Sequence, residues 1–285
     1  MNPANVRTLV AFIIERHKIY LRKTADKPKP WTEDPILQKY KFCAVYRELD
    51  KTTVWLTENW RRPHEDDPDL WFAMLVARLI NWPPTLAELG YPVPWSPERF
   101  AQVLQVRAER GEKVYSNAYM ITTCKTKMSK VDYNIARLSR IWAEREALRP
   151  VPGEALEAFA ARLSTSYGVG SFLTGQVVAD IKYAPAYLSA PDWHRFVLSG
   201  SGSRRGLSRL LGRADVQKTW QWEEKEWRTL VLALQDKVNA ALPKGWEPLH
   251  AQDLQNCLCE FDKYMRVKEP TQKFRLTLYP GGPEE

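Results

Sequence analysis

From Val6 to Lys23 the chain reads VRTLVAFIIERHKIYLRK, and its apolar positions Val6, Leu9, Val10 and Ile13, then Tyr20 and Leu21, fall on one face of a helix. The segment KPKPWTEDP breaks that helix. Thr32 or Asp34 is placed to cap a second, predicted from Pro35 through ILQKYKFCAVYRELD to Asp50 with proline in its first turn. DPDLWFAMLVARLINW is almost wholly apolar between Leu70 and Leu79, which predicts a buried helix stopped by Pro83-Pro84, and Arg78 and Asn81 interrupt it. Further helices are predicted over Ser96–Arg110, Ser129–Glu146, Gly153–Thr165, Leu173–Lys182, Arg204–Leu211, Glu223–Leu242 and Ala251–Tyr264. YSNAYMITTCK reads as a strand or a loop, and the tail KFRLTLYPGGPEE as a short strand before a frayed end. No repeat and no run of alternating strands is present. The expected fold class is mainly α, in two lobes over residues 1–150 and 151–285 that meet near Arg149-Pro150-Val151-Pro152 and can form one continuous body around a cleft.

Composition narrows the partners. Hydrophobic residues make up 44% of the 285 positions and aromatics 12%, enough apolar material to offset the chain entropy lost on folding. The net charge of +8 favours a polyanion, although basic enzymes that touch no nucleic acid are common. Cys43, Cys124, Cys257 and Cys259 match neither a metal-binding C-x2-C pair nor a compact cluster run, so reduced thiols, no metal and no cofactor are expected. The run Leu9–Ile14 is too short for a membrane span and has no signal-peptide cleavage pattern; a cytoplasmic setting is expected.

The sharpest local motif lies in ALEAFAARLSTSYGVGSFLTGQVVADIKY, an amphipathic helix, then Tyr167-Gly168-Val169-Gly170-Ser171, then a second helix from about Phe172. Two glycines around one apolar residue permit a tight turn whose backbone N–H groups can hold a DNA phosphate, or simply reverse the chain. Asp192 in SAPDWHRF follows this hairpin at the distance seen in the helix-hairpin-helix DNA glycosylases, which Leu156 to Arg195 resemble. The resemblance implies a two-lobed glycosylase-like fold in which Asp192 faces a flipped nucleotide. Phe172 stands where lyase-competent members carry a nucleophilic lysine, so no Schiff-base chemistry is expected. The alternative for Asp192 is a helix cap.

Longer strings point to a more specific group. FIIERHKIYLRK, KPWTEDPILQKYKFCAVYRELD, Asn59-Trp60-Arg61, ARLINWP, YSNAYMI and LCEFDKY together resemble the phage thymine-hypermodification proteins described as alpha-glutamyl/putrescinyl thymine pyrophosphorylases, or as the helical domain associated with 5-hydroxymethyluracil DNA kinases. The resemblance implies an amino acid:DNA transferase that joins a free amino acid or amine to the 5-methylene of phosphorylated 5-hydroxymethyl-deoxyuridine in double-stranded phage DNA, displacing phosphate or pyrophosphate. Such an enzyme acts downstream of a kinase, in the cytoplasm of an infected bacterium. No G-x-x-x-x-G-K-[ST] loop is present, so the chain is not expected to be the P-loop kinase itself. A monofunctional DNA glycosylase and a non-catalytic binder of modified DNA are the competing readings.

The transferase reading distributes roles over named residues. Asp192, Lys263, Arg47 and Asp50 are the catalytic candidates, with Lys263 as phosphate ligand and Arg47 and Asp50 on one helical face at i, i+3 spacing, where an ion pair is the plain alternative. Arg78 and Asn81 bind either an internal carboxylate or a polar cleft, since a buried guanidinium must be paired, and the cleft is preferred. His17, Glu260, Asp262 and Tyr264 complete the substrate set, with a packed histidine and structural acids as alternatives. DNA contacts are assigned to Gly168, Val169, Gly170 and Ser171, to Lys125, Lys127 and Lys130, and to Arg204 and Arg205 of GSGSRR, read as a flexible basic loop.

Overall fold

A computed structural model describes residues 1–116 and 127–269. Among them all regular structure is helical and no β-strand forms, as the periodicity predicts. Most of YSNAYMITTCK, with Cys124 and Lys125, and the tail from Lys273 lie outside the described residues. No described helix is long and apolar enough to cross a membrane.

The chain divides into two compact units, residues 1–50 with 197–285 and residues 51–196. This differs from the expected halves: Arg149-Pro150 lies inside the second unit, and the N-terminal helices share a core with the C-terminal ones. The proline-rich stretch marks a boundary by composition, which does not show which helices bury their apolar faces together.

In the first unit α1 (Pro3–Thr24) starts at Asn2, whose side chain accepts from the Ala4 N–H at 2.9 Å. α2 (Pro35–Lys39) is capped by Asp34, which accepts from the N–H groups of Ile36 and Leu37 at 2.8 and 3.0 Å. The helix expected to continue to Asp50 ends there. Residues 40–46 are non-helical and Arg47–Leu49 make a single 3-10 turn. The reason is tertiary: Phe42, Ala44 and Val45 are buried in the core, and the N–H groups of Cys43 and Ala44 go to the side chains of Glu260 and Asp50, which replaces i to i−4 bonding.

Three helices follow in this unit. Here α11 (Ser201–Leu210), α12 (Glu224–Ala241) and α13 (Ala251–Lys268) complete the body, with Leu9, Phe12, Ile13, Trp227, Leu254 and Phe261 in its core. GSGSRR is therefore helix and not a flexible loop. Its Gly202 and Gly206 lie against α13, where a Cβ would collide with the Cys259 thiol and the Leu258 carbonyl respectively. One helical turn apart, they set the close approach of α11 to α13.

The second unit holds α3 (Lys51–Leu56), which the sequence pattern missed, continued by a π turn over Thr57–Arg61. It is followed by α4 (Leu70–Ile80), α5 (Pro83–Leu89), α6 (Pro97–Glu109), α7 (Lys130–Ala143), α8 (Arg145–Leu148), α9 (Leu156–Ser164) and α10 (Ser171–Ile181). Every residue of α4 is buried, as its apolar run predicts. Its Trp71 and Phe72 pack edge-on against Phe159 and Trp95.

Candidate functional site

The first unit brings the two acidic strings of the sequence together. Glu260 Oε2 on α13 accepts from the Cys43 N–H and from the Lys263 ammonium, both at 2.8 Å. Asp50 Oδ1 accepts from the Ala44 N–H at 2.7 Å, and Asp253 Oδ1 from the Arg47 N–H at 2.9 Å. Asp253 and Glu260 thus pin the 41–50 segment to α13, and Asp50 closes a bond within the segment. Each of Asp50 and Glu260 keeps its second oxygen without a hydrogen bond among the described residues.

The electrostatics separate these groups. Burial raises the Asp50 carboxyl above its ordinary value and the Glu260 charge adds to that, against lowering by the Ala44 N–H and Arg47. For Lys263 burial works downward, but Glu260 wins and holds its ammonium above the ordinary value. Lys263 is therefore a fixed cation, which suits a phosphate and excludes a neutral amine base; it also lies 5.2 Å from the Phe42 ring centre. Burial and the Glu260 charge push the neighbouring Cys259 thiol up to about 12, which excludes it as a nucleophile near neutrality.

In the second unit α9 and α10 form a hairpin. Gly168 has φ +72, and a Cβ there would lie 2.7 Å from the Tyr133 hydroxyl and 2.8 Å from Arg137 Cδ. Its carbonyl accepts from Arg137 Nη1 at 3.0 Å, and Val169 is buried. Gly170 begins α10 with open space around its Cα, no side chain caps that end, and Ser171 and Phe172 are exposed. Uncapped N–H groups on a helix start are oriented for an anion. Asp192 sits at the other end of the hairpin, where Oδ1 accepts from the Leu156 N–H at 2.7 Å and Oδ2 from the Glu157 N–H at 2.9 Å. It caps α9. The segment after it is latched to the end of α10: Trp193 Nε1 donates to the Lys182 carbonyl at 2.6 Å, and the Lys182 ammonium lies 4.2 Å from the Trp193 ring centre.

A family model described as "5-hmdU DNA kinase, helical domain" matches residues 4–274. The chain belongs to that family. It is also 32% identical over 125 residues to the 5-hmdU DNA kinase of Bacillus phage SP10, a stretch covering 40% of this chain and 19% of that protein, so about a fifth of the relative's length is represented. No solved structure matches.

Several expected site residues are held by other side chains of the protein. Arg78 binds an internal carboxylate and not a cleft: Nε donates to Asp180 Oδ2 at 2.6 Å, Nη1 to Asn81 at 3.2 Å, and Nη2 to Thr53 at 3.0 Å and to Asp180 Oδ1. Asn81, with φ +50, ends α4 and donates to Ser116 at 3.1 Å. Arg47 and Asp50 do not share a helical face, since Arg47 opens a 3-10 turn that Asp50 closes. Tyr264 donates to Asp34 at 2.7 Å, tying α13 to the cap of α2.

The remaining expectations divide in the same way. His17 is a packed histidine with Tyr20, Tyr46 and Trp246 around it. Arg204 is engaged at all three nitrogens, by Ser199, the Thr219 carbonyl and Glu224. Lys130 lies over the Tyr115 ring at 3.7 Å, while Lys127 is exposed. Asp180 was missed by reading the sequence. Its signal was available as the acid in GQVVADIKY, a charge of opposite sign to Arg78 in a second apolar helix.

Proposed function

We propose that this protein acts on phage DNA carrying phosphorylated 5-hydroxymethyluracil and joins an amino acid or amine to the 5-methylene of that base. The observation that carries this reading is the group formed by Asp50, Glu260 and Lys263: a carboxyl with a raised pKa, a second carboxylate and a held cation where two strings of the family meet. An amine arrives protonated. It becomes a nucleophile once a carboxylate takes a proton from it, and its lone pair then forms the C–N bond as the C–O bond breaks and the electron pair leaves with phosphate or pyrophosphate. Asp50, raised above the ordinary carboxylate value, is the stronger base for the proton, and Lys263 is the cation for the departing anion. In the second unit Asp192 is the alternative carboxylate for this chemistry, and the uncapped start of α10 is the proposed contact for a DNA phosphate.

The test incubates the protein with kinase-treated 5-hydroxymethyluracil DNA and a mixture of amino acids, followed by digestion to nucleosides and mass spectrometry. A heavier nucleoside with its glycosidic bond intact supports the transferase. Free base with abasic DNA points to a glycosylase, and unchanged substrate that is nonetheless bound points to a binding module. Since the relative is named a kinase, unphosphorylated DNA with ATP is the parallel arm, and phosphate addition there overturns the reading.

A further inference from the structure

The face of the first unit where α11 meets α13 carries a charge arrangement that the reading above does not use. Asp262 has no exposed surface, yet three arginines converge on it: Arg205 Nε at 2.7 Å, Arg209 Nε at 3.0 Å and Arg266 Nε at 3.4 Å. Arg205 and Arg209 alone share this one carboxylate, so the two keep an excess of about one positive charge. Arg205 and Arg209 are one turn apart on α11, and the close seat made by Gly202 and Gly206 brings both to the same acid.

The way these two arginines are held decides what they offer. Each spends only its Nε on Asp262, and their terminal Nη groups make no hydrogen bond among the described residues and are not sealed from solvent. Both side chains are nevertheless mostly buried, at 19% and 13% exposure, so their stems are fixed. A fixed guanidinium whose Nη edge is open has already lost the side-chain entropy that phosphate binding would otherwise cost, and its fork matches phosphate oxygens. A salt bridge made only for stability needs no second arginine.

We infer that Arg205 and Arg209, aligned by the buried Asp262, form a phosphate-binding fork. The chemistry recognised is a pair of phosphate oxygens, from a backbone phosphodiester of DNA or from free phosphate or pyrophosphate. The fork does not depend on the transferase reading; only the choice of a DNA phosphate as occupant rests on the protein acting on DNA.

The experiment measures binding of a fluorescent duplex by anisotropy over a salt series, and thermal shift with inorganic pyrophosphate, for the wild type, Arg205→Gln/Arg209→Gln and Arg205→Lys/Arg209→Lys. The lysine pair keeps the charge on Asp262, so it covers the case in which the glutamine pair does not fold. A DNA phosphate predicts that the glutamine pair binds about tenfold or more weakly and that the slope of log K against log salt becomes less negative by about 1, with a smaller loss for the lysine pair. A free phosphate predicts an unchanged slope and a pyrophosphate-induced thermal shift that the folded variants lose. If neither quantity changes in a folded variant, the fork is overturned. If the wild type binds no DNA but its pyrophosphate shift depends on the two arginines, the DNA reading fails and the fork stands.

Discussion

Arg78 on α4 and Asp180 on α10 form an ion pair whose side chains are 3% and 2% exposed, and it joins the two helices at the centre of the second unit. Thr53 and Asn81 each take a further guanidinium N–H, so at least four of the five donors are bonded to side chains of the same unit. Replacing Arg78 by Met is expected to destabilise the protein by about 3–5 kcal/mol, because Asp180 is left as a buried charge with its partner gone. Arg78→Met/Asp180→Leu should recover most of that loss. Denaturant midpoints of the three proteins check this, and a single variant as stable as the wild type would remove the buried-pair account.

The two hairpin glycines should respond differently. Gly168 has φ +72, and a Cβ there meets Tyr133 and Arg137, so Gly168→Ala is expected to cost ~1–2 kcal/mol from the left-handed backbone alone, before any displacement of those side chains. Gly170 has extended backbone and open space, so Gly170→Val should fold normally. If the start of α10 holds a phosphate, that variant weakens duplex binding while its melting temperature stays within a few degrees of wild type. Anisotropy and thermal melts on the same samples decide it, and unchanged affinity would leave the hairpin as a turn only.

These contrasts show what could be read from the chain. The apolar run of α4 predicted burial correctly because a helix covered on all sides leaves that mark wherever its neighbours come from. The 41–50 segment misled because its residues satisfy a helical pattern, while Asp50 and Glu260 compete for its N–H groups, and Glu260 lies 217 positions away from Cys43. The same long range hid the partner of Arg78 and the three-arginine setting of Asp262, which was read as a substrate residue. Local strings carried the resemblance to a family but not whether each residue faces a ligand or a partner side chain.

His17 gives the fold a pH dependence. Burial lowers its pKa below 6.5 and Arg16 adds to the effect, while Tyr20, Tyr46 and Trp246 surround the ring. Between its folded value and 6.5 the unfolded chain binds the proton more readily, so stability falls as pH drops through that window and is fully present above it. His17→Phe should flatten this part of the stability profile. Denaturation midpoints measured from pH 7.5 to 5.0 in both proteins check it, and parallel profiles would exclude His17 as the source.

The last prediction separates two roles that Asp192 can hold together. Its carboxylate caps α9 through the Leu156 and Glu157 N–H groups, so Asp192→Ala should cost ~0.5–2 kcal/mol. Asparagine keeps only one of the two acceptors, so Asp192→Asn should lose part of that stability while it keeps its fold and DNA affinity. If the carboxylate also stabilises positive character at the methylene or takes a proton from the amine, turnover of Asp192→Asn should fall by ~10²-fold or more, far beyond what its stability change explains. Single-turnover assays well below the melting temperature, with the nucleoside products weighed by mass spectrometry, read both quantities. A glycosylase would show a similar loss, so product identity is scored in the wild type: an intact heavier nucleoside keeps the transferase and free base replaces it. Wild-type turnover in a folded Asp192→Asn would restrict Asp192 to its cap and leave the chemistry to Asp50, Glu260 and Lys263.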